Sequence, residues 1–91
     1  MEVKHAYFFK SFAHESRNEI LGLLAQNGEM TVEAISKKME IKASTVSRHL
    51  GILKMQGVVG MRVEAPSHFY FLQGEEIKQK FDNFLKFLAI N

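Results

Sequence analysis

Apolar residues recur at helical spacing along the first half of the chain. A dense aromatic cluster predicts a first helix over about residues 3–13, with apolar contacts on more than one side. The apolar run over residues 20–24 predicts a second helix, which ends near residues 27–28 because glycine is a common helix stop. Thr31 is the expected N-cap of a short third helix through Met39.

A fourth helix is predicted over residues 43–56, after a short turn. Its apolar residues Val46, Leu50 and Leu53 follow one another at spacings of four and three, so they form one inward stripe. The third and fourth helices together have helix-turn-helix spacing over about residues 31–56.

A strand pair and a last helix complete the pattern. Apolar and polar residues alternate over residues 59–64, and a turn at 65–67 leads into a returning strand over 68–72. A last helix is expected over about residues 75–90, with acidic residues at its start and a wide apolar face. No repeat or linker divides the chain, so we expect one mainly α domain over residues 1–91 with a small β-hairpin.

Charge changes this picture, because basic residues are concentrated in the middle of the chain. Residues 37–62 hold six Lys or Arg residues and one acidic residue, a net charge of +5. Residues 1–36 hold three basic and five acidic residues, and residues 63–91 hold three and four, so the flanks carry −2 and −1. Composition alone leaves a solvated mixed surface and a polyanion-binding face as alternatives.

The candidate DNA-binding residues coincide with the basic region. Short hydroxyl groups on Ser44, Thr45 and Ser47 can donate to phosphates or base edges, and Arg48 can reach a guanine edge or a phosphate. Free N–H groups at the helix start add a phosphate site. The alternative is that the hydroxyl groups only cap and solvate the helix. The candidates are Lys38, Lys42, Ala43, Ser44, Thr45, Ser47, Arg48 and Lys54 on the two helices, with Arg62 and His68 on the hairpin.

The residue inventory excludes several kinds of site. The chain has no cysteine, which excludes disulfides, thiolate metal ligands and cysteine nucleophiles. It has no Ser-His-Asp order, paired-carboxylate motif or phosphate-binding glycine loop, so we expect neither an enzyme nor a cofactor. The residues after Met1 lack the basic segment and long apolar run of a secretion signal or membrane span, so we expect a cytoplasmic protein that binds no membrane.

Three segments of the chain carry a family signature. They are FAHESRNEIL over residues 12–21, STVSRHL over residues 44–50 with Leu53 and Gly57-Val58-Val59, and Tyr70-Phe71-Leu72. From Phe8 to Leu72 the sequence therefore resembles the ArsR family of prokaryotic winged-helix repressors. The resemblance implies a winged helix-turn-helix fold in which residues 43–56 are the recognition helix and residues 58–72 are the wing. It also implies double-stranded DNA as a partner and a two-fold dimer built by the first and last helices.

The composition of the terminal helices agrees with a homodimer. A chain of this length buries only about two-thirds of the surface that its unfolded form exposes, so a partner subunit would help. The alternative is that both helices only close the core of their own chain. The candidate interface residues are Val3, Tyr7, Phe8, Ile77, Phe81, Phe84, Leu85 and Leu88.

The metal-binding motifs of the family are missing. Arsenic- and cadmium-sensing members carry Cys-Val-Cys at the third helix, and this chain has Thr31 and Glu33 at the two cysteine positions. Zinc-sensing members use an acidic residue and two histidines on the last helix, but no histidine follows His68. We therefore expect a metal-independent protein, regulated by a protein partner, an organic ligand or its own concentration.

Two further residues depart from the family pattern or qualify it. Glu40 occupies a turn where glycine is common, so the turn is expected to be either not left-handed or slightly strained. His49 lies beside the inward stripe, and we expect a packed or hydrogen-bonded residue instead of a sensor. The four histidines fall on different predicted elements, so no two share a helical face.

The leading hypothesis is a sequence-specific DNA-binding repressor that recognises a palindromic operator as a homodimer. The rival hypothesis is a winged-helix interaction module whose basic face binds an acidic protein partner.

Overall fold

A computed structural model describes residues 4–90 of the chain, except for the side chains of Lys4 and Tyr7. Over this range the chain forms five helices and one antiparallel hairpin. The elements are α1 (Lys4–Ala13), α2 (Glu15–Asn27), α3 (Val32–Met39), α4 (Ala43–Met55), β1 (Val59–Glu64), β2 (Ser67–Leu72) and α5 (Gly74–Phe87). None of the helices within residues 4–90 is long and apolar enough to cross a membrane. The mainly α winged helix-turn-helix order predicted from the sequence is confirmed.

The predicted helix boundaries in the first half of the chain are set by local caps. Thr31 is the N-cap of α3, since its Oγ1 accepts a hydrogen bond from the N–H of Ala34 at 3.1 Å. Gly28 after α2 and Gly57 after α4 have φ angles of 82° and 75°, a conformation that glycine adopts without steric cost. Both predicted glycine stops are therefore confirmed.

Two helix ends differ from the predicted ones. α4 ends at Met55, one residue early. α5 ends at Phe87 instead of about residue 90, because Ala89 takes the left-handed conformation with φ 59° and the N–H of Ile90 bonds back to the Leu85 carbonyl at 2.9 Å. The sequence has no glycine at this end of α5, so it carried no stop signal.

The core lies where α2, α3 and α4 meet the base of the hairpin. It contains the predicted inward stripe of α4, in which all three side chains are fully buried. The most deeply buried apolar side chains, each at most 1% exposed, are Ile20, Leu24, Ile35, Val46, Leu50, Leu53, Val58 and Val59. At this burial each side chain of α4's stripe contributes roughly 1.5–3 kcal/mol to stability by removal from water, which holds α4 in one orientation.

The hairpin extends away from this core. Its register runs from the Val59–Leu72 pair to the Glu64–Ser67 pair. Burial falls along β1, from Val59 at 1% exposed to Val63 at 58%, so Val63 is not packed although the alternating pattern placed it on the apolar face. Alternation predicted the strand, but the distance of each residue from the core depends on where the helices end.

A third segment pairs with the outer side of β2. Met30 and Tyr70 exchange two backbone hydrogen bonds, from the Met30 N–H at 3.0 Å and from the Tyr70 N–H at 2.8 Å. The segment between α2 and α3 therefore lies beside the hairpin, in the order segment, β2, β1. This pairing was not predicted, since Met30 belongs to no strand pattern.

The turn between α3 and α4 is left-handed at Glu40. Its φ and ψ angles are 57° and 42°, and its N–H bonds to the Ser36 carbonyl. The expected alternative of a turn that is not left-handed is therefore wrong. A side chain with a Cβ atom in this conformation costs about 1–2 kcal/mol, because the Cβ approaches the following carbonyl oxygen.

Replacing Glu40 by glycine removes this cost. We expect Glu40→Gly to raise the free energy of unfolding by about 1 kcal/mol, measured by urea denaturation followed by circular dichroism. Glu40→Ala is the matched control, because it removes the same carboxylate but keeps the Cβ atom, and it should give no comparable gain. A glycine variant less stable than the alanine variant would show that the turn is not strained.

Candidate nucleic-acid interface

The start of α4 presents its polar residues to solvent. Val46 and Leu50 are fully buried on the inner side, while Ser44, Ser47 and Arg48 are exposed on the outer side. This is the orientation that the helix-turn-helix spacing predicted.

The hydroxyl groups at the start of α4 do not cap the helix. Its N-cap residue is Lys42, and no side chain makes a capping hydrogen bond there. Thr45, half-buried, and Val46 direct their backbone N–H groups to the Lys42 carbonyl at 3.0 and 3.1 Å. The N–H groups of Ala43 and Ser44, in the first turn before these, are therefore available to an anion at the positive end of the helix dipole.

An open groove of about 600 Å³ separates the start of α4 from the tip of the hairpin. Ser44 and Ser47 form one wall, and His68 lies on the hairpin side. The groove thus joins two sets of residues that the sequence assigned separately to DNA. Its lining residues are Val32, Glu33, Ala43, Ser44, Ser47, Pro66, Ser67, His68 and Tyr70.

Glu33 is a lining residue that the sequence analysis did not select. It lies in the first turn of α3, and its exposed carboxylate puts a negative charge beside hydroxyl groups that could donate to it. The Thr31 cap gave the only available signal, because it fixes where the first turn of α3 begins. A glutamate in a DNA-facing groove can accept from the amino group of cytosine.

The candidate lysines lie on the helix-turn-helix, outside the lining of this groove. Lys38 is in the last turn of α3, Lys42 precedes α4, and Lys54 is in the last turn of α4; all three are exposed. Exposed ammonium groups of this kind neutralise phosphates without reading sequence.

Arg62 forms ion pairs with two glutamates of its own chain. Its Nε donates to both carboxylate oxygens of Glu29, at 3.0 and 2.8 Å, and its Nη1 donates to Glu64 at 2.8 Å. The hydrogen bond from Arg62 lowers the pKa of Glu29, and the two carboxylates raise the pKa of the Arg62 guanidinium further above its usual value. Sequence reasoning assigned Arg62 to DNA and missed Glu29.

Comparison with known proteins identifies the family. The family model described as "Bacterial regulatory protein, arsR family" matches residues 14–60, which is more than half of the chain. The chain belongs to the ArsR family.

Individual relatives agree. An uncharacterized HTH-type transcriptional regulator of Methanocaldococcus jannaschii is 40% identical over 76 residues, 84% of this chain and 85% of that protein. The transcriptional activator HlyU of Vibrio cholerae is 37% identical over 75 residues, 82% of this chain and 68% of that protein. The solved homodimeric winged helix-turn-helix DNA-binding domain from Mycobacterium bovis, a possible ArsR-family regulator, is 34% identical with a TM-score of 0.76, over 94% of this chain and 78% of that one.

These similarities establish the general function. The chain is a transcriptional regulator with a DNA-binding winged helix, and the family and its members are regulators instead of enzymes. Both statements confirm what the sequence predicted.

His49 of this ArsR-family regulator is buried on the inner side of α4. It is 3% exposed, which confirms the prediction that it is packed. Its ring lies 4.7 Å from that of His14, the N-cap of α2, whose Nδ1 accepts from the Ser16 N–H at 3.1 Å. Tertiary packing thus pairs two histidines that the sequence placed on separate elements.

The surroundings of His49 favour its neutral form. Burial, followed by the positive charges of His14, Arg17 and Arg48, lowers the pKa of His49 from its usual value of 6.5. Two nitrogen atoms, His49 Nδ1 and Arg17 Nε, are buried without a hydrogen-bond partner. Within residues 4–90, no group of three or more His, Cys, Asp or Glu side chains could hold a metal ion.

The apolar residues of α5 are left largely uncovered. Phe81, Leu85 and Leu88 are 41%, 40% and 46% exposed, and Ile77 and Phe84 are half-buried. Two further residues at the same end are exposed although they were not among the interface candidates, Phe87 at 57% and Ile90 at 52%. The run of apolar residues from 84 to 90 was the available signal.

Of the candidates on α1, Phe8 packs inside its own chain. It is 4% exposed, and its ring contacts those of Phe9, Phe12 and Phe81 at centroid distances of 5.0–5.2 Å. Phe8 therefore packs against the inner side of α5 through Phe81. Val3 and the side chain of Tyr7 lie outside the described residues.

The lowered pKa of His49 gives a pH dependence with a defined sign. In the unfolded chain His49 is protonated below about pH 6.5, whereas in the folded chain it stays neutral until a lower pH. The contribution of His49 to the free energy of unfolding is therefore fully present above pH 6.5, and it is lost as the pH falls through the pKa of His49 in the folded chain. We expect the free energy of unfolding to decrease between pH 7 and pH 5, and His49→Gln to reduce that slope.

The matched control is His68→Gln, which removes an exposed histidine of the hairpin. It should keep the slope of the wild type in the same series of urea denaturations. An unchanged slope in His49→Gln would show that His49 does not titrate differently in the two states.

Proposed function

We propose that this regulator is a metal-independent repressor that binds a palindromic operator as a homodimer. The observation that carries the proposal is the arrangement of α4. Its apolar stripe is buried in the core, while the polar residues at its N-terminal end are exposed and no side chain caps that end. This start enters the major groove of DNA, and the wing reaches the flanking backbone or minor groove. A bound dimer that occupies a promoter is sufficient to block transcription, so repression requires no further contact.

Each DNA-contacting residue has a role that follows from its chemistry. Arg48 reads a base edge through its planar fork, and Ser44, Thr45 and Ser47 donate to base edges or phosphates. Ala43 allows close approach of the backbone. The residues that neutralise phosphates or contact the flanking DNA are Lys38, Lys42, Lys54 and, on the wing, His68.

The homodimer is supported by the exposed apolar face of α5. α5 and the residues just after it hold five large apolar residues that are 40–57% exposed. Exposed apolar patches of this kind mark interfaces, and a two-fold dimer covers the same patch on both subunits. The related M. bovis domain is a homodimer. Two recognition helices related by a two-fold axis recognise half-sites about one or two helical turns apart.

Metal independence is supported by the residues at the family's sensor positions. The chain has no cysteine, and Thr31 and Glu33 stand where related sensors carry thiolates. The effector is therefore a protein, an organic ligand or the concentration of the regulator itself. Because its target is DNA, we place the protein in the cytoplasm.

The rival proposal is a winged-helix module whose basic face binds an acidic protein. The groove between α4 and the wing favours DNA, because it combines exposed hydroxyl groups with a free helix N-terminus, a set suited to phosphates and base edges. An acidic protein partner would give no preference among DNA sequences.

The central test is a DNA titration across a series of salt concentrations. The probes are an operator duplex selected from random DNA and a random duplex of equal length. We expect affinity to fall steeply with salt, with a slope of about −0.9 for each phosphate neutralised. Arg48→Ala should cost about 1–3 kcal/mol on the operator and less on random DNA, whereas Lys38→Ala should weaken both alike.

Further arms of this titration separate the alternatives. Lys78→Ala is the control, because Lys78 lies on the polar side of α5 away from the helix-turn-helix and should bind as the wild type does. A flat salt response would support the protein-binding module. A shift in operator affinity on adding zinc, cadmium or arsenite would overturn metal independence, and increased transcription from an operator-bearing promoter in vitro would overturn repression.

The dimer is tested on α5. Leu85→Glu places a charge in the exposed apolar face, so we expect a folded monomer in analytical ultracentrifugation and operator binding about a hundredfold weaker, since one half-site is lost. Gln79→Glu, which adds the same charge on the polar side of α5, should remain a dimer. A Leu85→Glu protein that stays dimeric would place the interface elsewhere.

A further inference from the structure

Arg62 is the one Lys or Arg residue of the wing, residues 58–72. A lone cation at this place predicts a phosphate contact, but the structure pairs it with acidic residues of its own chain. Its Nε is bonded to both oxygens of Glu29 and its Nη1 to Glu64, while its guanidinium lies 4.6 Å from the centre of the Phe69 ring. Two acidic groups and an aromatic ring therefore contact the guanidinium, while the side chain remains 46% exposed.

The contacts of Arg62 cross the whole hairpin. Phe69 is its partner in the strand register, so the side chain starts on β1 and passes over β2. Glu29 lies beyond β2, next to Met30, which pairs with Tyr70 through two backbone hydrogen bonds. Arg62 thus joins β1, β2 and the segment before α3.

This segment leads directly into the helix-turn-helix. Thr31, the N-cap of α3, follows two residues after Glu29. On the hairpin, Tyr70 and His68 line the groove that Ser44 lines from α4. The ion pair and the Met30–Tyr70 pairing therefore act along the middle of the hairpin, next to the residues that line the groove.

We propose that Arg62 is a positioning residue: together with Glu29 it holds the wing at a fixed angle to α4, and it does not neutralise a DNA phosphate. The proposal rests on the DNA interface between α4 and the wing described above. The positive charge of Arg62 is already compensated by two carboxylates, so a phosphate brought to this side chain would also meet the negative charges of Glu29 and Glu64. Because its hydrogen bond also lowers the pKa of Glu29, the pair persists through the neutral pH range.

The two possible roles of Arg62 make opposite predictions for Glu29. If Arg62 positions the wing, Arg62→Ala and Glu29→Gln each weaken operator binding about threefold to tenfold, because both wings of a dimer lose the contact. The double variant then binds no more weakly than either single one, since both changes break the same pair. The salt slope of the wild type is retained in all three. If Arg62 binds a phosphate, Arg62→Ala flattens the slope by about 1.8, about 0.9 for each of the two subunits, and Glu29→Gln binds more tightly.

The experiment titrates these variants with the selected operator duplex and with random DNA over a salt series. Glu19→Gln, an exposed glutamate of α2, is the control for the loss of one negative charge. Arg62→Lys keeps the charge but lacks the planar guanidinium, whose Nε reaches Glu29 while its Nη1 reaches Glu64. We expect Arg62→Lys to remain as weak as Arg62→Ala; an affinity equal to that of the wild type would overturn the proposal.

Amide hydrogen exchange reports on the wing without DNA. Arg62→Ala and Glu29→Gln should both speed the exchange of the Met30 and Tyr70 amides, while the amides of the core helices keep their protection. Unchanged exchange at these two amides would overturn the proposal. If wild-type binding showed no salt dependence, the proposed DNA interface would fail instead, and the exchange measurement would still decide whether Arg62 positions the wing.

Discussion

The burial of one side of α4 is the constraint on which the rest of the structure depends. Val46, Leu50 and Leu53 are fully buried against α2, α3 and the base of the hairpin. Any rotation of α4 about its axis would expose some of these side chains. The exposed residues of the recognition helix are consequently set by the core. Ser47 and Arg48 face solvent because their neighbours in the helical period do not.

Two short connections convert this packing into a binding surface. Glu40 accepts an unfavourable backbone conformation so that α3 and α4 meet at the helix-turn-helix angle. The segment at Met30 pairs with β2 and brings the wing beside the start of α4. Neither connection contacts the centre of the groove, yet both determine its shape.

Charge and apolar surface are separated in the molecule. Most of the positive middle of the chain forms the helix-turn-helix, whereas most of the exposed large apolar residues lie on α5 and the residues just after it, apart from Met55 and Val63. The wing is nearly neutral, since its one arginine is paired with Glu29 and Glu64. The unpaired positive charge therefore lies on α3 and α4, which agrees with the proposal that these helices attract DNA and that the wing contributes through its shape and His68.

The local pattern of the sequence by itself determined the order of elements, the inward stripe of α4, the Thr31 cap and the glycine stops at Gly28 and Gly57. Each of these depends on residues within a few positions of one another, so periodicity and capping chemistry are sufficient. The same reasoning found Ser44, Ser47 and Arg48, because their exposure follows from the helical period.

Contacts between residues that are far apart in the sequence were decided only by the tertiary structure. Arg62 finds Glu29, 33 residues away, His49 meets His14, and Phe8 closes its own core instead of lying on the surface. A periodic pattern specifies the face of an element but not what packs against that face. The assignment of Arg62 therefore depended on the path of the segment between α2 and α3, which no local pattern encodes.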